Sequence, residues 1–270
     1  MADYGSGGVP RFSTGARASV ARMYDAALGG KDHYQIDLDA NEALMKVSPE
    51  IISEARSNRA FLGRVVHFLA AEAGIRQFLD LGSGLPTQNN VHQVAQRVDP
   101  AARVVYVDND PLVLTHGHAL LAENASTTVI TADMREPEAI LDHPGLREHL
   151  DLSVPTAVLF VSVLHCIPDE ADPQHSVSTL LGAFPSGSYL ALSHLVSEDE
   201  AAGAAFTETV RAHAEWGRVR TPKETREFFS GLEPVEPGLL DVRQWRPDAD
   251  SPPPEPDRKV WEFGGVARKP

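Results

Sequence analysis

Phe78-Leu79-Asp80-Leu81-Gly82-Ser83-Gly84 is the stretch on which the reading of this chain turns. A short apolar run carrying an acid passes directly into a Gly-x-Gly turn, and a helical pattern over 89–98 follows. Glycine lets backbone approach a ligand closely because no Cβ intrudes, and a helix N-terminus presents unpaired N–H groups. A second apolar run, Arg103-Val104-Val105-Tyr106-Val107, ends in Asp108, about where a nucleotide fold places its ribose-binding acid. On the glycines alone, a simple strand-to-helix turn reads equally well. Asp110, ahead of Pro111, is set to cap a helix beginning near Leu112, which leaves Asp108 at the strand tip.

Outward from this unit the same alternation recurs. Strands are predicted at 77–81, 103–107, 127–131, 156–162 and 187–193, and helices at 89–98, 111–123, 136–141, 173–183 and 199–214. Ala157-Val158-Leu159-Phe160-Val161 is apolar throughout, as a strand buried on both faces requires. Strands alternating with helices give an α/β, Rossmann-like fold with a mostly parallel sheet. A helix near 222–230 and strands at about 239–245 and 259–267 complete the chain, with Arg246 to Pro256 a loop. Ahead of the first strand, residues 1–15 read as a flexible tail. Residues 16–74 form a helical N-terminal region: a helix from Ser19 to Leu28 ending at Gly29-Gly30, a polar knot Lys31-Asp32-His33-Tyr34, a helix from Asp37 to Val47, and helical spacing from Glu50 to Ala73. Residues 75–270 form the Rossmann-like domain.

The 270 residues, 42% hydrophobic, suffice for one sizeable core. A net charge of -14 argues against a nucleic-acid backbone or an anionic membrane as the main partner. Cys166 is the single cysteine, so neither an intramolecular disulfide nor a cysteine-rich zinc site forms. Residues 1–15 lack an apolar signal core, and no apolar run approaches the roughly 20 residues that span a bilayer. The expectation is a soluble, cytoplasmic protein without a metal.

Ligands of an open parallel sheet sit beyond the C-terminal ends of its strands. Those ends carry Asp80, Gly82, Ser83 and Gly84, then Asp108 and Asn109, then Asp133 and Met134, then Ser162, Val163, Leu164 and His165. A dinucleotide turn wants a third glycine, where this chain has Thr87 after Pro86, and no lysine follows to make a P-loop. Asp80 would repel a pyrophosphate but suits a cationic amino-acid head. S-adenosylmethionine carries an ammonium and a sulfonium and no phosphate. The acids then sort with Asp80 near its methionine end, Asp108 on the ribose hydroxyls and Asp133 on the adenine amine. A nicotinamide-dependent oxidoreductase is the disfavoured alternative.

Longer blocks carry a family likeness: Ala21-Arg22-Met23-Tyr24-Asp25-Ala26-Ala27-Leu28-Gly29-Gly30-Lys31-Asp32, Phe78 through Thr87, Val104 through Pro111, Ala132-Asp133-Met134-Arg135, Leu164-His165-Cys166-Ile167-Pro168-Asp169 and Gly264-Gly265-Val266-Ala267-Arg268-Lys269. In these the chain closely resembles a bacterial, mainly actinomycete, family of S-adenosylmethionine-dependent methyltransferases of largely unassigned substrate. The resemblance implies a class I methyltransferase fold, a seven-stranded sheet whose last strand is antiparallel. It also implies that the segment from Tyr24 to Tyr34 covers the cofactor as a lid, with Tyr24, Gly30, Lys31, Asp32 and Tyr34 as contacts beside Thr87 and Ser162. Gln93 stands where the family has an acid, and Val91 where it has threonine.

His165 is the candidate catalytic base, weighed against a histidine simply buried by the Cys166-Ile167-Pro168 turn. Cys166 reads as packing. His116 and His118, two apart on a helix, face different ways and make poor metal ligands. No Asn-Pro-Pro-Tyr type motif follows the fourth strand, which disfavours nucleobase or glutamine amino groups. The expected acceptor is a small metabolite methylated on oxygen or nitrogen, and the alternative is a non-catalytic S-adenosylmethionine-binding sensor or partner protein.

Overall fold

Successive residues of a strand point to opposite faces, and the apolar runs of this chain use both. The structure, a computed structural model, describes residues 3–4, 10–11, 17–85, 89–110, 113, 115, 124–248, 251 and 257–270. In β1 (Gln77–Leu81), Phe78 packs with Phe61, Val65 and Trp245 on one side of the sheet, while Leu79 and Leu81 join Ile140, Leu146 and Leu180 on the other. β2 (Arg103–Asp108) divides likewise, Val104 and Tyr106 to the first layer and Val105 and Val107 to the second. Each fully buried side chain of this kind contributes about 1.5–3 kcal/mol, so the alternation fixes the register.

β3 (Thr127–Thr131), β4 (Ala157–Val161) and β5 (Tyr189–Val196) complete the parallel part, and β8 (Trp261–Arg268) lies antiparallel against β5. Two dipeptide strands, β6 (Glu233–Pro234) and β7 (Leu240–Asp241), both pair antiparallel with β8. The spatial order is β3-β2-β1-β4-β5-β8-β6, with β7 also on β8. This is the class I methyltransferase arrangement, mostly parallel with an antiparallel last strand. The sixth position is split, so eight strands are counted where seven are expected. Pro234 and Pro237 flank the break and lack the N–H that a continuous ladder needs. The strand expected over 239–245 is correspondingly reduced to β7, and Val242–Gln244 form a 3-10 turn instead.

Helices cover both faces. α3 (Ile51–Ala71) and α4 (Val91–Val98) lie on the Phe78 side. α5 (Pro137–Asp142), α6 (Pro144–His149), α7 (Pro173–Gly182) and α9 (Pro222–Glu227) lie on the other, or flank it. α1 (Val20–Ala27) and α2 (Gln35–Val47) pack on α8 (Glu200–His213) around Met23, Leu44, Phe206 and Trp216. α6 has no counterpart among the expected helices. His143 accepts from Gly145 N at 3.1 Å and Pro144 occupies the first helical position, so the Pro-Gly pair that reads as a loop starts a helix. Asp3–Tyr4 and Pro10–Arg11 pair as short antiparallel strands within the segment expected to be a tail. The helix expected over 111–123, with His116 and His118, lies largely outside the described residues, as does much of the 246–256 loop. Among the described residues no helix is long and apolar enough to cross a membrane.

One buried ion cluster ties α3 to the last strand. Glu54 Oε1 accepts from Arg243 Nη2 at 2.8 Å and from Arg258 Nη1 at 2.7 Å, and Glu54 Oε2 accepts from Glu262 N of β8 at 3.1 Å. The Glu54 and Arg243 side chains are wholly buried. Removing one partner of such a cluster strands the others' charge, at roughly 3–5 kcal/mol, whereas an exposed pair contributes below about 1 kcal/mol. In denaturant melts, Glu54→Ala is expected to lose about 3–5 kcal/mol. Lys46→Ala, which breaks the exposed 3.3 Å Lys46–Glu42 pair, is expected to change stability by less than about 1 kcal/mol. Equal small losses would contradict the structural role of Glu54.

Candidate functional site

A cavity of about 320 Å³ opens at the C-terminal ends of β1, β2 and β4, with α1 and α3 along its rim. The turn after β1 shapes its floor. Gly82 and Gly84 have φ of +65° and +64°, a region that side-chain-bearing residues rarely adopt. At Gly82 a Cβ would also meet Val163 Cγ2 at 2.2 Å. Gly82 N donates to Val107 O at 2.8 Å, which folds the turn over the neighbouring strand.

Asp80 is the feature around which the cavity is built. Its side chain is on the face that meets α3, it is 6% exposed, and among the described residues no hydrogen bond engages its oxygens. Burial pushes its pKa up to about 7, with Arg59 pulling the other way and Asp108 adding repulsion. Asp108 is held at the strand tip by Gly84 N on Oδ2 at 2.8 Å and Asp110 N on Oδ1 at 2.9 Å. Burial raises its pKa and these N–H groups oppose the rise. Asp133 is gripped by Arg135, with Nε 2.9 Å from Oδ1 and Nη2 2.5 Å from Oδ2. That hydrogen-bonded guanidinium holds the Asp133 pKa below the usual carboxylate range. Arg135 also reaches Glu215 at 3.1 Å, so its charge is already answered.

Of the residues expected to contact a cofactor, Tyr24, Asp80, Gly82, Ser83, Gly84, Asp108, Asn109, Asp133, Met134 and Ser162 line this cavity. Thr87 lies outside the described residues. Gly30, Lys31, Asp32 and Tyr34 are not in this lining. The knot they form folds back on Asp25: Asp25 Oδ2 accepts from Asp32 N at 2.9 Å and sits 3.0 Å from His33 Nδ1. A Cβ at Gly30 would lie 1.9 Å from Asp25 Oδ1. Tyr34 has Arg22 over its ring at 5.1 Å, and its N–H donates to Asp37. Asp37 also takes Ser19 N and Arg22 Nε, so the segment is fastened rather than free.

His165 is also absent from this lining. It is 2% exposed in the 3-10 turn Leu164–Cys166, its Nδ1 accepts from Leu195 N at 3.2 Å, and its ring lies 4.5 Å from that of Trp216. Burial, with His194 and Arg220 nearby, drives its pKa well below the ordinary value. A neutral imidazole whose lone pair is already engaged is not a general base. Cys166 lines the cavity, and burial pushes its thiol pKa up, away from reactivity.

Sequence reasoning missed Ser19, Asn58, Arg59, Asp110 and Glu215, all in the lining. Asn58 donates to Tyr24 Oη at 3.0 Å, and Tyr24 Oη donates to Ala55 O at 3.0 Å. Arg59 Nη2 donates to Asn90 Oδ1 at 2.8 Å. The one available signal was Ser57-Asn58-Arg59 inside the apolar spacing of the long helix. Ser19 Oγ donates to Asp110 Oδ2 at 2.9 Å, which docks the start of α1 on the tip of β2. Gln93 is also explained: its Oε1 accepts from Asn90 N at 2.9 Å, completing a capping box as an acid would.

The lining carries Asp80, Asp108, Asp110, Asp133 and Glu215 against Arg59 and Arg135. Such a balance repels phosphates and fits a ligand with a cationic head and hydroxyls. Comparison with known proteins agrees. A family model described as S-adenosyl methyltransferase matches residues 11–270. A DUF574 family protein from Streptomyces avermitilis is 44% identical over 94% of this chain and 98% of its own, with a TM-score of 0.89. A candidate methyltransferase from Thermobifida fusca is 43% identical over 95% of this chain and 96% of its own, with a TM-score of 0.88. The trans-methyltransferase CalH, in complex with S-adenosylhomocysteine, shares the fold at a TM-score of 0.53 and 12% identity, over 92% of this chain and 72% of its own.

The Asp80 carboxyl titrates near 3.8 unperturbed and at about 7 in the fold. Between those values the folded state keeps a proton that the unfolded chain has released. Its contribution to stability is therefore full below the lower value and lost as pH rises through the upper one. Without ligand, Asp80→Asn is expected to gain stability relative to the parent as pH is raised from about 4 to about 8. Denaturant melts across that range check it; a difference independent of pH would contradict the burial of an unpaired carboxyl.

Proposed function

The chain belongs to the S-adenosyl methyltransferase family, and from that premise we propose that it methylates an oxygen or nitrogen of a small molecule in the cavity at the strand tips. It is an S-adenosylmethionine-dependent enzyme with the class I fold. The observation that carries the site assignment is Asp80, a buried carboxyl with no hydrogen-bond partner among the described residues, facing a cavity rich in acids.

Bound S-adenosylmethionine supplies an electrophilic methyl on a sulfonium whose leaving thioether is neutral, so the protein's task is chiefly to orient and exclude water. Well-aligned reactants gain on the order of 7–11 kcal/mol from orientation. In this reading Asp80 receives the ammonium of the methionine head, and Arg59 receives its carboxylate. Asp108 meets the ribose hydroxyls, since each of its oxygens accepts one backbone N–H and keeps a lone pair. Asp133 is assigned to the adenine amine by its place at the tip of β3, although both its oxygens already accept from the backbone N–H and guanidinium of Arg135. Tyr24 covers the methionine end; its hydroxyl is committed to Ala55 and burial pushes its pKa up to about 12, so it positions rather than takes a proton.

Calorimetric titration with S-adenosylhomocysteine tests these roles. A charge-assisted hydrogen bond is worth about 1.5–3 kcal/mol, so Asp80→Asn and Asp108→Ala are each expected to weaken binding at least tenfold at pH 8. Parent affinity is expected to fall as pH drops below about 7, where Asp80 takes up a proton, and Asp80→Asn is expected to abolish that dependence. Wild-type affinity in Asp80→Asn would contradict the head-group assignment. For the acceptor, release of S-adenosylhomocysteine is expected with neutral hydroxy or amino compounds; turnover confined to nucleic acid or protein would contradict the small-molecule reading.

A further inference from the structure

Behind the main cavity lies a second, smaller one of about 70 Å³, and the two share Val20, Tyr24 and Ser162 in their linings. Its walls are Met23, Leu44, Leu195, Phe206, Val210 and the ring of Trp216. Among the described residues no lysine or arginine lines it. Two polar atoms in this lining are buried without a partner among the described residues: Trp216 Nε1 and Glu262 Oε2. An unpartnered buried polar atom costs roughly 1–3 kcal/mol, and here a donor and an acceptor are left open in one small apolar space.

The neighbours of Glu262 leave that oxygen available. Ser162 Oγ donates to the other oxygen, Oε1, at 2.5 Å. The Ser193 hydroxyl also lies beside Glu262 and helps hold its pKa down, but its single proton is directed to Asn58 Oδ1 at 2.6 Å, so Glu262 Oε2 keeps no donor among the described residues. Glu54, the adjoining acid on α3, is answered by Arg243 and Arg258. Ser162 itself has a φ of +57°, an uncommon conformation for a side-chain-bearing residue and one that concentrates at functional sites. It stands at the tip of β4, between the two cavities.

We propose that this second cavity receives the methyl acceptor, and that the acceptor is a small uncharged molecule with an apolar body whose hydroxyl or amine meets Glu262 Oε2. The proposal rests on the methyltransferase reading above and adds the class of acceptor. At about 70 Å³ the buried end takes a short aliphatic chain or the leading edge of a ring, with the rest of the acceptor lying in the opening toward the main cavity. A carboxylate or phosphate there would face Glu262 with no cation in the lining. Trp216 Nε1 offers a hydrogen bond to a second oxygen of the acceptor. For a hydroxyl acceptor, the new O–C bond forms as the S–C bond breaks and leaves its electron pair on sulfur, and the hydroxyl proton passes to the Glu262 carboxylate.

Burial raises the Glu262 pKa to about 8, with Ser162 and Ser193 opposing and Glu54 and Asp241 adding to the rise. Of the other groups around it, Arg243 and Arg258 are paired with Glu54, His165 is neutral, and Tyr24 is protonated. The carboxylate form is therefore the major one at pH 9.

The test is ligand-observed NMR at pH 9 on the full chain loaded with S-adenosylhomocysteine, using phenol, toluene and benzoate as probes. Phenol is expected to bind at least tenfold more tightly than toluene, and benzoate not to bind. Glu262→Gln, an isosteric change, is expected to reduce the preference for phenol to about twofold. Ala27→Leu fills the second cavity from a position outside the main one, and is expected to abolish phenol binding while S-adenosylhomocysteine affinity is unchanged. Phenol failing to bind the loaded protein, benzoate binding as well as phenol, or phenol persisting in Ala27→Leu would each overturn the acceptor site and leave the cofactor reading intact. Failure of S-adenosylhomocysteine itself to bind would remove the cofactor reading and this proposal together.

Discussion

A carboxyl held in the interior without a hydrogen-bond partner among the described residues is the constraint from which the site follows. Asp80 lies on β1, which pairs with β2 on one side and β4 on the other, and its partners across the sheet are Tyr106 and Leu159, neither of which carries a charge to answer it. The pleat turns it toward α3, the layer that Phe78 also faces. Burying an unpaired ionised group costs far more than a single packing contact returns. The fold tolerates it because Arg59 lends attraction from α3 and because the carboxyl holds a proton to about pH 7 in the absence of a ligand. A cation delivered to this point discharges the strain, which is how a preorganised site converts folding energy into binding.

The same economy appears at the opposite edge of the sheet. Glu54 is buried but fully answered by two arginines and a backbone N–H, and it fixes β8 against α3. Glu262, on that strand, is then held rigidly with one oxygen satisfied by Ser162 and one left open. The two acids, at once close and differently treated, divide between structure and function. Asp25 and Asp37 do comparable work at the N-terminal end, where they accept the backbone N–H groups of Asp32 and Tyr34 and so fasten the segment between α1 and α2.

What the sequence disclosed and what it hid have physical reasons. β1 to β5 were readable because two-faced burial writes continuous apolar runs, and Asp80, Gly82, Ser83, Gly84 and Asp108 followed from the rule that ligands gather at strand tips. The antiparallel last strand came from family likeness; nothing in Trp261–Arg268 itself states its direction. Arg59 was hidden because one polar residue on a long helix looks the same whether it meets solvent or a ligand. Lys31, Asp32 and Tyr34 fall outside the cavity lining for the converse reason: a polar knot reads alike whether it faces a ligand or closes on Asp25. His165 sits at a strand tip in sequence, yet the 3-10 turn directs its ring toward β5 and Trp216. Glu262 lies within an otherwise largely apolar strand and carries no motif, so only its orphaned oxygen reveals it.

The most direct test of the claim that Asp80 and Arg59 seat an amino-acid head is the calorimetric affinity of S-adenosylhomocysteine beside those of methylthioadenosine, which lacks that head, and NAD. Loss of two charge-assisted contacts, each about 1.5–3 kcal/mol, predicts that methylthioadenosine binds roughly 100-fold more weakly or worse, and that NAD does not bind. Methylthioadenosine binding as tightly as S-adenosylhomocysteine, or NAD binding more tightly than either, would contradict the account.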